Sequence, residues 1–68
     1  MAFYYVNDHA QTNGDHEVHV NGCSFLHLVL HKTYLGDFSS CAPAVATAKK
    51  KYPRADGCYF CCKPCHSR

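Results

Sequence analysis

Short apolar runs separated by polar breaks divide the chain into the elements it predicts. Phe3-Tyr4-Tyr5-Val6 is aromatic and β-branched, a composition that suits a strand. From Asn7 to Asp15 the chain is polar and carries Asn13-Gly14, the strongest short hairpin signal because both residues tolerate positive φ. Glu17-Val18-His19-Val20 then alternates, so Val18 and Val20 share one strand face and Glu17 and His19 the other. The pattern predicts a hairpin, residues 3–7 against 16–20. Gly22 relaxes the backbone so that Cys23 can turn back towards His19.

The most apolar stretch, Phe25 to His31, has an ambiguous period. Leu26, Leu28 and Leu30 can line one face of a strand, but a short helix fits as well. Thr33-Tyr34-Leu35 reads as a brief strand ended by Gly36-Asp37, with Phe38 packing inward. The clearest helix covers about residues 40–52. Ser40 suits the N-cap, Pro43 falls in the tolerated first turn, and four alanines favour the helix. Cys41, Val45, Ala48 and Tyr52 recur at helical spacing and form its inner face, so Cys41 reads as a core residue rather than a ligand. Lys49, Lys50 and Lys51 complement the negative end of the helix dipole. Pro53 stops the helix, and Ala55-Asp56-Gly57 turns the chain into its tail.

That tail changes the picture. Cys58-Tyr59-Phe60-Cys61-Cys62-Lys63-Pro64-Cys65-His66 holds four of the six cysteines in two adjoining Cys-x2-Cys pairs. A Cys-x2-Cys turn aims two thiolates at one ion, half of a tetrahedral zinc shell. The best second half is the His-x3-Cys pair, His19 and Cys23. The expected ligands are therefore His19, Cys23, Cys58 and Cys61, with zinc as the ion. Cys62 and Cys65 have the same spacing as Cys58 and Cys61, and Cys61, Cys65 and His66 form a further set, so Cys62, Cys65 and His66 remain alternates. Cys61 and Cys62 are adjacent and poorly placed to bind one ion together. Two early and two late ligands would close a loop of more than thirty residues, which is how a metal staples a small fold. His16, beside Asp15 and Glu17, reads as a surface residue, His9 has no ligand spacing, and His27 and His31, four apart, would converge only if that stretch were helical. Tyr59 and Phe60 would cover the site or fill the core, with a base-stacking platform as the sharper alternative.

A chain of 68 residues makes one small domain, 1–68, with a limited core. At 47% hydrophobic it is not disordered by composition. Six of its seven basic residues, Lys49, Lys50, Lys51, Arg54, Lys63 and Arg68, lie in the last third, opposed there only by Asp56. This reads as a solvated helix end, or as a surface (Lys49, Lys50, Lys51, Arg54 and Lys63) for nucleic acid or an acidic protein. No apolar run reaches the ~18 residues of a membrane helix. The segment after Met1 has no basic n-region. A cytoplasmic location follows as the expectation, with reduced thiols available to a metal. The alternative is an exported peptide stapled by disulfides. An enzyme is not favoured: a thioredoxin-type dithiol needs a βαβ setting, a catalytic zinc keeps an open position, and this chain offers surplus donors.

The order of parts resembles the zinc-binding domain of the Ada DNA-repair family and the small Ada-like zinc modules appended to some nucleases. The residues that carry the resemblance are His19 and Cys23, the helix through Ala44, Val45 and Ala48, and Cys58 with Cys61 (or Cys62 with Cys65), over roughly residues 16–66. The resemblance implies a small α+β domain: an N-terminal β-hairpin, one main helix and a C-terminal Cys-rich knuckle, stapled by zinc. It also implies a second function, a zinc-bound thiolate, here Cys23, that accepts an alkyl group. The chain departs from the family's four-cysteine shell at His19. It adds the apolar residues 25–35 and the extra Cys62, Cys65 and His66.

Overall fold

The Asn13-Gly14 break produces the expected hairpin. In the computed structural model, which describes residues 1–67, strand β1 (Ala2–Asn7) runs antiparallel to β2 (His16–Val20), with Tyr4 opposite Val20, Tyr5 opposite His19 and Val6 opposite Val18. Gly14 takes a φ of +90°, and its N–H donates to the Gln11 carbonyl at 2.8 Å. Arg68 lies outside the described residues.

Two further strands complete the sheet, and neither ends where composition suggests. β3 (Lys32–Phe38) pairs antiparallel with the free edge of β1. It runs through Gly36-Asp37 because the β1 backbone offers partners as far as Ala2, opposite Phe38. The register shifts between Tyr4, opposite Gly36, and Tyr5, opposite Tyr34, which leaves Leu35 as the extra residue of a bulge. The tripeptide expected as a turn is strand β4 (Ala55–Gly57), parallel to β2, and all three residues are buried. The result is a mixed four-stranded sheet in the order β3-β1-β2-β4.

One helix, α1 (Cys41–Ala48), supplies the apolar cover. Its buried residues Cys41, Ala44, Val45 and Ala48 join Tyr4, Val6, Val18, Ala55, Cys58 and Cys62 in one core. Ser40 flanks the helix, but its side chain makes no capping hydrogen bond. The helix also stops short of the expected residue 52. Pro53 disfavours a helical backbone at Tyr52, and Lys49–Lys51 close as turns. Tyr52 has better partners elsewhere: its ring stacks on His16 at 3.8 Å, and its hydroxyl donates to Asp8 at 2.9 Å.

The ambiguous apolar stretch is neither strand nor α-helix. It holds one 3₁₀ turn, Leu26–Leu28, in which only Leu26 is buried, while Leu28 and Leu30 are exposed. A second 3₁₀ turn, Lys63–Cys65, lies in the tail. Among the described residues no helix is long and apolar enough to cross a membrane.

Candidate metal centre

The site forms where β2 ends. Residues 20–23 make a turn closed by the Cys23 N–H, which donates to the Val20 carbonyl at 3.0 Å. Gly22 takes a φ of +97° there. A Cβ on Gly22 would meet nothing within 4 Å, so backbone conformation rather than space requires the glycine. The turn lays Cys23 beside its strand neighbour, with Cys23 Sγ 3.6 Å from His19 Nδ1.

The late pair arrives on the neighbouring strand. The Cys58 N–H donates to the Val18 carbonyl at 2.9 Å, extending the β2–β4 pairing and bringing Cys58 to the same end of the sheet. The Cys62 N–H then donates to the Cys58 carbonyl at 2.9 Å and closes the knuckle. Cys61 Sγ lies 3.9 Å from His19 Nδ1 and accepts the Val20 N–H at 3.4 Å.

One donor atom from each of His19, Cys23, Cys58 and Cys61 lies within 4.8 Å of the others. A tetrahedral ion with metal–sulfur bonds of about 2.3 Å and metal–nitrogen bonds of about 2.0 Å has ligand–ligand edges of roughly 3.5–3.8 Å. The distance of 3.6 Å at His19 matches such an edge and that of 3.9 Å is slightly longer, so a small contraction of the cluster would seat all four donors on one ion. This cluster can hold a metal ion.

Its electrostatics suit that task. His19 and Cys58 are buried, and Cys23 and Cys61 half-buried. Burial pushes the His19 imidazole below its usual range, partly offset by the Glu17 carboxylate, so the ring is neutral near neutrality. Burial pushes the Cys61 thiol far up, and the neighbouring thiols add to this while the Val20 amide opposes it. Without a cation the Cys61 thiol keeps its proton, so loading a metal must release protons. Glu17, which the sequence reading passed over as a ligand neighbour, places Oε1 3.5 Å from His19 Nε2. A carboxylate on one ring nitrogen favours the tautomer whose other nitrogen is bare and faces the metal. The signal was the i, i+2 spacing that sets Glu17 and His19 on one strand face.

The alternates lie elsewhere. Cys65 forms a disulfide with Cys41, so Cys65 is not a spare ligand, while Cys41 lies in the core, as expected, and outside the donor cluster. For these two cysteines the bond departs from the expectation of reduced thiols, while Cys23, Cys58, Cys61 and Cys62 are free. The helix face that buries Cys41 sets it against the second 3₁₀ turn, with the two Cα atoms 6.3 Å apart. Cys62 is buried in the core, 3.8 Å from Cys61 through sulfur, and stands outside the four-donor set. His66 faces away: its Nδ1 lies 3.0 Å from the Gly57 carbonyl and 3.2 Å from Asp56. Asp56 also accepts from the Ser67 N–H and hydroxyl, pinning the tail.

Among the described residues the expected basic positions divide between two places. Lys51 contacts Asp8 and Thr33, and Arg54 pairs with Asp15 at 3.2 Å. Lys49 and Lys50 are exposed nearby. These four belong to the end of the sheet where β2 begins, opposite the cluster, while Lys63 lies over Tyr59 in the knuckle. Comparison with known protein families, curated proteins and solved structures finds no match to this chain.

Proposed function

We propose that this chain is a small zinc-binding module whose metal is structural and stiffens a surface for a partner macromolecule. The observation that carries the reading is the four-donor cluster, its donor atoms all within 4.8 Å of one another, assembled from two pairs distant in sequence. Three thiolates and an imidazole favour zinc over magnesium or calcium. Four protein donors fill the shell, which marks a structural rather than a catalytic ion.

Native mass spectrometry of protein purified without reductant tests this directly. The expected species carries one zinc and one disulfide, and Cys58→Ser loses the zinc. A folded wild-type protein that binds no zinc when supplied with it contradicts the reading.

The Ada-like alternative, an alkyl-accepting thiolate, is supported by Cys23 being half-buried, as Cys61 also is, while Cys58 is buried. A Cys3His shell carries one negative charge fewer than a four-cysteine shell, which weakens a bound thiolate as a nucleophile. In that reaction the Cys23 sulfur attacks the methyl carbon and the phosphate leaves with the bonding electrons. Intact mass after incubation with methylphosphotriester DNA decides it: no added methyl at Cys23, Cys58 or Cys61 would sink the alternative.

A further inference from the structure

Three aromatic rings stand exposed on the two loops that carry the ligands. Phe25 follows Cys23, and Tyr59 and Phe60 lie between Cys58 and Cys61. Phe25 is 40% exposed, Tyr59 49% and Phe60 68%. Phe60 stacks on Phe25 with ring centres 4.6 Å apart, and Tyr59 meets Phe60 edge-on at 5.2 Å. A ring left 68% exposed is not filling the core. The Lys63 ammonium lies 5.4 Å from the Tyr59 ring centre. Residues 57–68 contain no carboxylate side chain, and Asp56 is buried and bonded to Ser67.

We propose that this ledge binds unpaired nucleobases of a single-stranded nucleic acid, with Lys63 on an adjoining phosphate. Any base can stack on an aromatic face, so such a platform tolerates sequence. A cation at its rim, in a loop that carries no carboxylate of its own, supplies the complementary charge. A duplex hides its base faces in the stack, so the ledge selects single strands. The inference rests on the zinc reading, because an ion shared by Cys23, Cys58 and Cys61 holds the two loops in one arrangement.

The test uses the full chain, with zinc content read by native mass, and fluorescence anisotropy of labelled twelve-nucleotide oligothymidylate and oligouridylate. Saturable binding is expected, weakened about tenfold or more by Phe60→Ala. A hairpin duplex of equal charge should bind less well. Lys63→Ala should lower the slope of log affinity against log salt by about one. Three results overturn the proposal: zinc-loaded protein that binds neither oligonucleotide, binding unchanged in zinc-loaded Phe60→Ala and Tyr59→Ala, or a preference for the duplex. Binding of an acidic or proline-rich peptide in place of either strand assigns the ledge to protein and also overturns it. A folded sample without zinc contradicts the metal reading instead, and there the Phe60→Ala comparison still decides the ledge.

Discussion

His19 faces partners of opposite kind: thiols at Nδ1 and the Glu17 carboxylate at Nε2. Removing the carboxylate frees the ring to turn and makes it a poorer donor. Glu17→Gln should lower zinc affinity roughly tenfold or more while leaving the secondary structure unchanged, as read by competition with a chromophoric chelator. Unchanged affinity would reduce Glu17 to a surface residue. Gly57 is limited by space instead. A Cβ there would stand 2.6 Å from the Cys62 carbonyl oxygen and 2.8 Å from Cys65 Cβ. Gly57→Ala should therefore destabilise the fold by about 1–3 kcal/mol in denaturant unfolding, with the knuckle losing its seat on β4. At this scale the four-donor cluster was legible because His-x3-Cys and Cys-x2-Cys are local patterns. The Cys41–Cys65 bond and the Gly57 contact were not, since both depend on how the helix and tail pack.

Between elements, Asp8 gathers the ends of β1 and β3 and the turn after α1. It accepts from the Thr33 hydroxyl at 2.7 Å and the Tyr52 hydroxyl at 2.9 Å, with Lys51 Nζ at 3.6 Å. The Thr33 hydrogen bond, aided by Tyr52 and Lys51, holds its carboxyl below the ordinary carboxylate range. A folded-state pKa below the unfolded one stabilises the fold fully above the unfolded value, and this contribution is lost as pH falls through the folded value. Thermal unfolding should thus show a loss of stability below about pH 4 that is smaller in Asp8→Asn. Equal acid dependence in both proteins would contradict the assignment. The same network explains the misplaced helix end. Tyr52 fits the helical period, yet its partners His16 and Asp8 lie in the hairpin, beyond any local window. β4 was hidden for a related reason: Ala-Asp-Gly has turn composition and becomes a strand only because β2 offers an edge.

In the whole molecule, a disulfide closes over a core made largely of alanine, valine and cysteine, and a metal ion would add a second staple. The disulfide joins the start of α1 to the tail across 24 residues. Cross-linking a loop of that size contributes about 3 kcal/mol on chain-entropy grounds. The metal cluster would join β2 to the knuckle independently. The double variant Cys41→Ser/Cys65→Ser should lose about that much stability in denaturant unfolding and still bind one zinc. Loss of metal together with the disulfide would show that the tail, not the sheet, positions the ligands. The α+β class was legible at this scale because the hairpin, helix and Cys-rich knuckle each have local signatures. The sheet order was not, since β3 and β4 take their places on edges that only the assembled hairpin presents. The division of the basic residues between opposite ends of the sheet was hidden for the same reason.

The coordination of the ion is the central claim, and X-ray absorption at the zinc edge measures it most directly. The account predicts three sulfur neighbours at about 2.3 Å and one nitrogen at about 2.0 Å, with the imidazole signal lost in His19→Cys. Four sulfurs in the wild-type protein would put Cys62 in place of His19, and a shell rich in oxygen would mean that the four residues do not hold the ion at all. Either result would contradict the account.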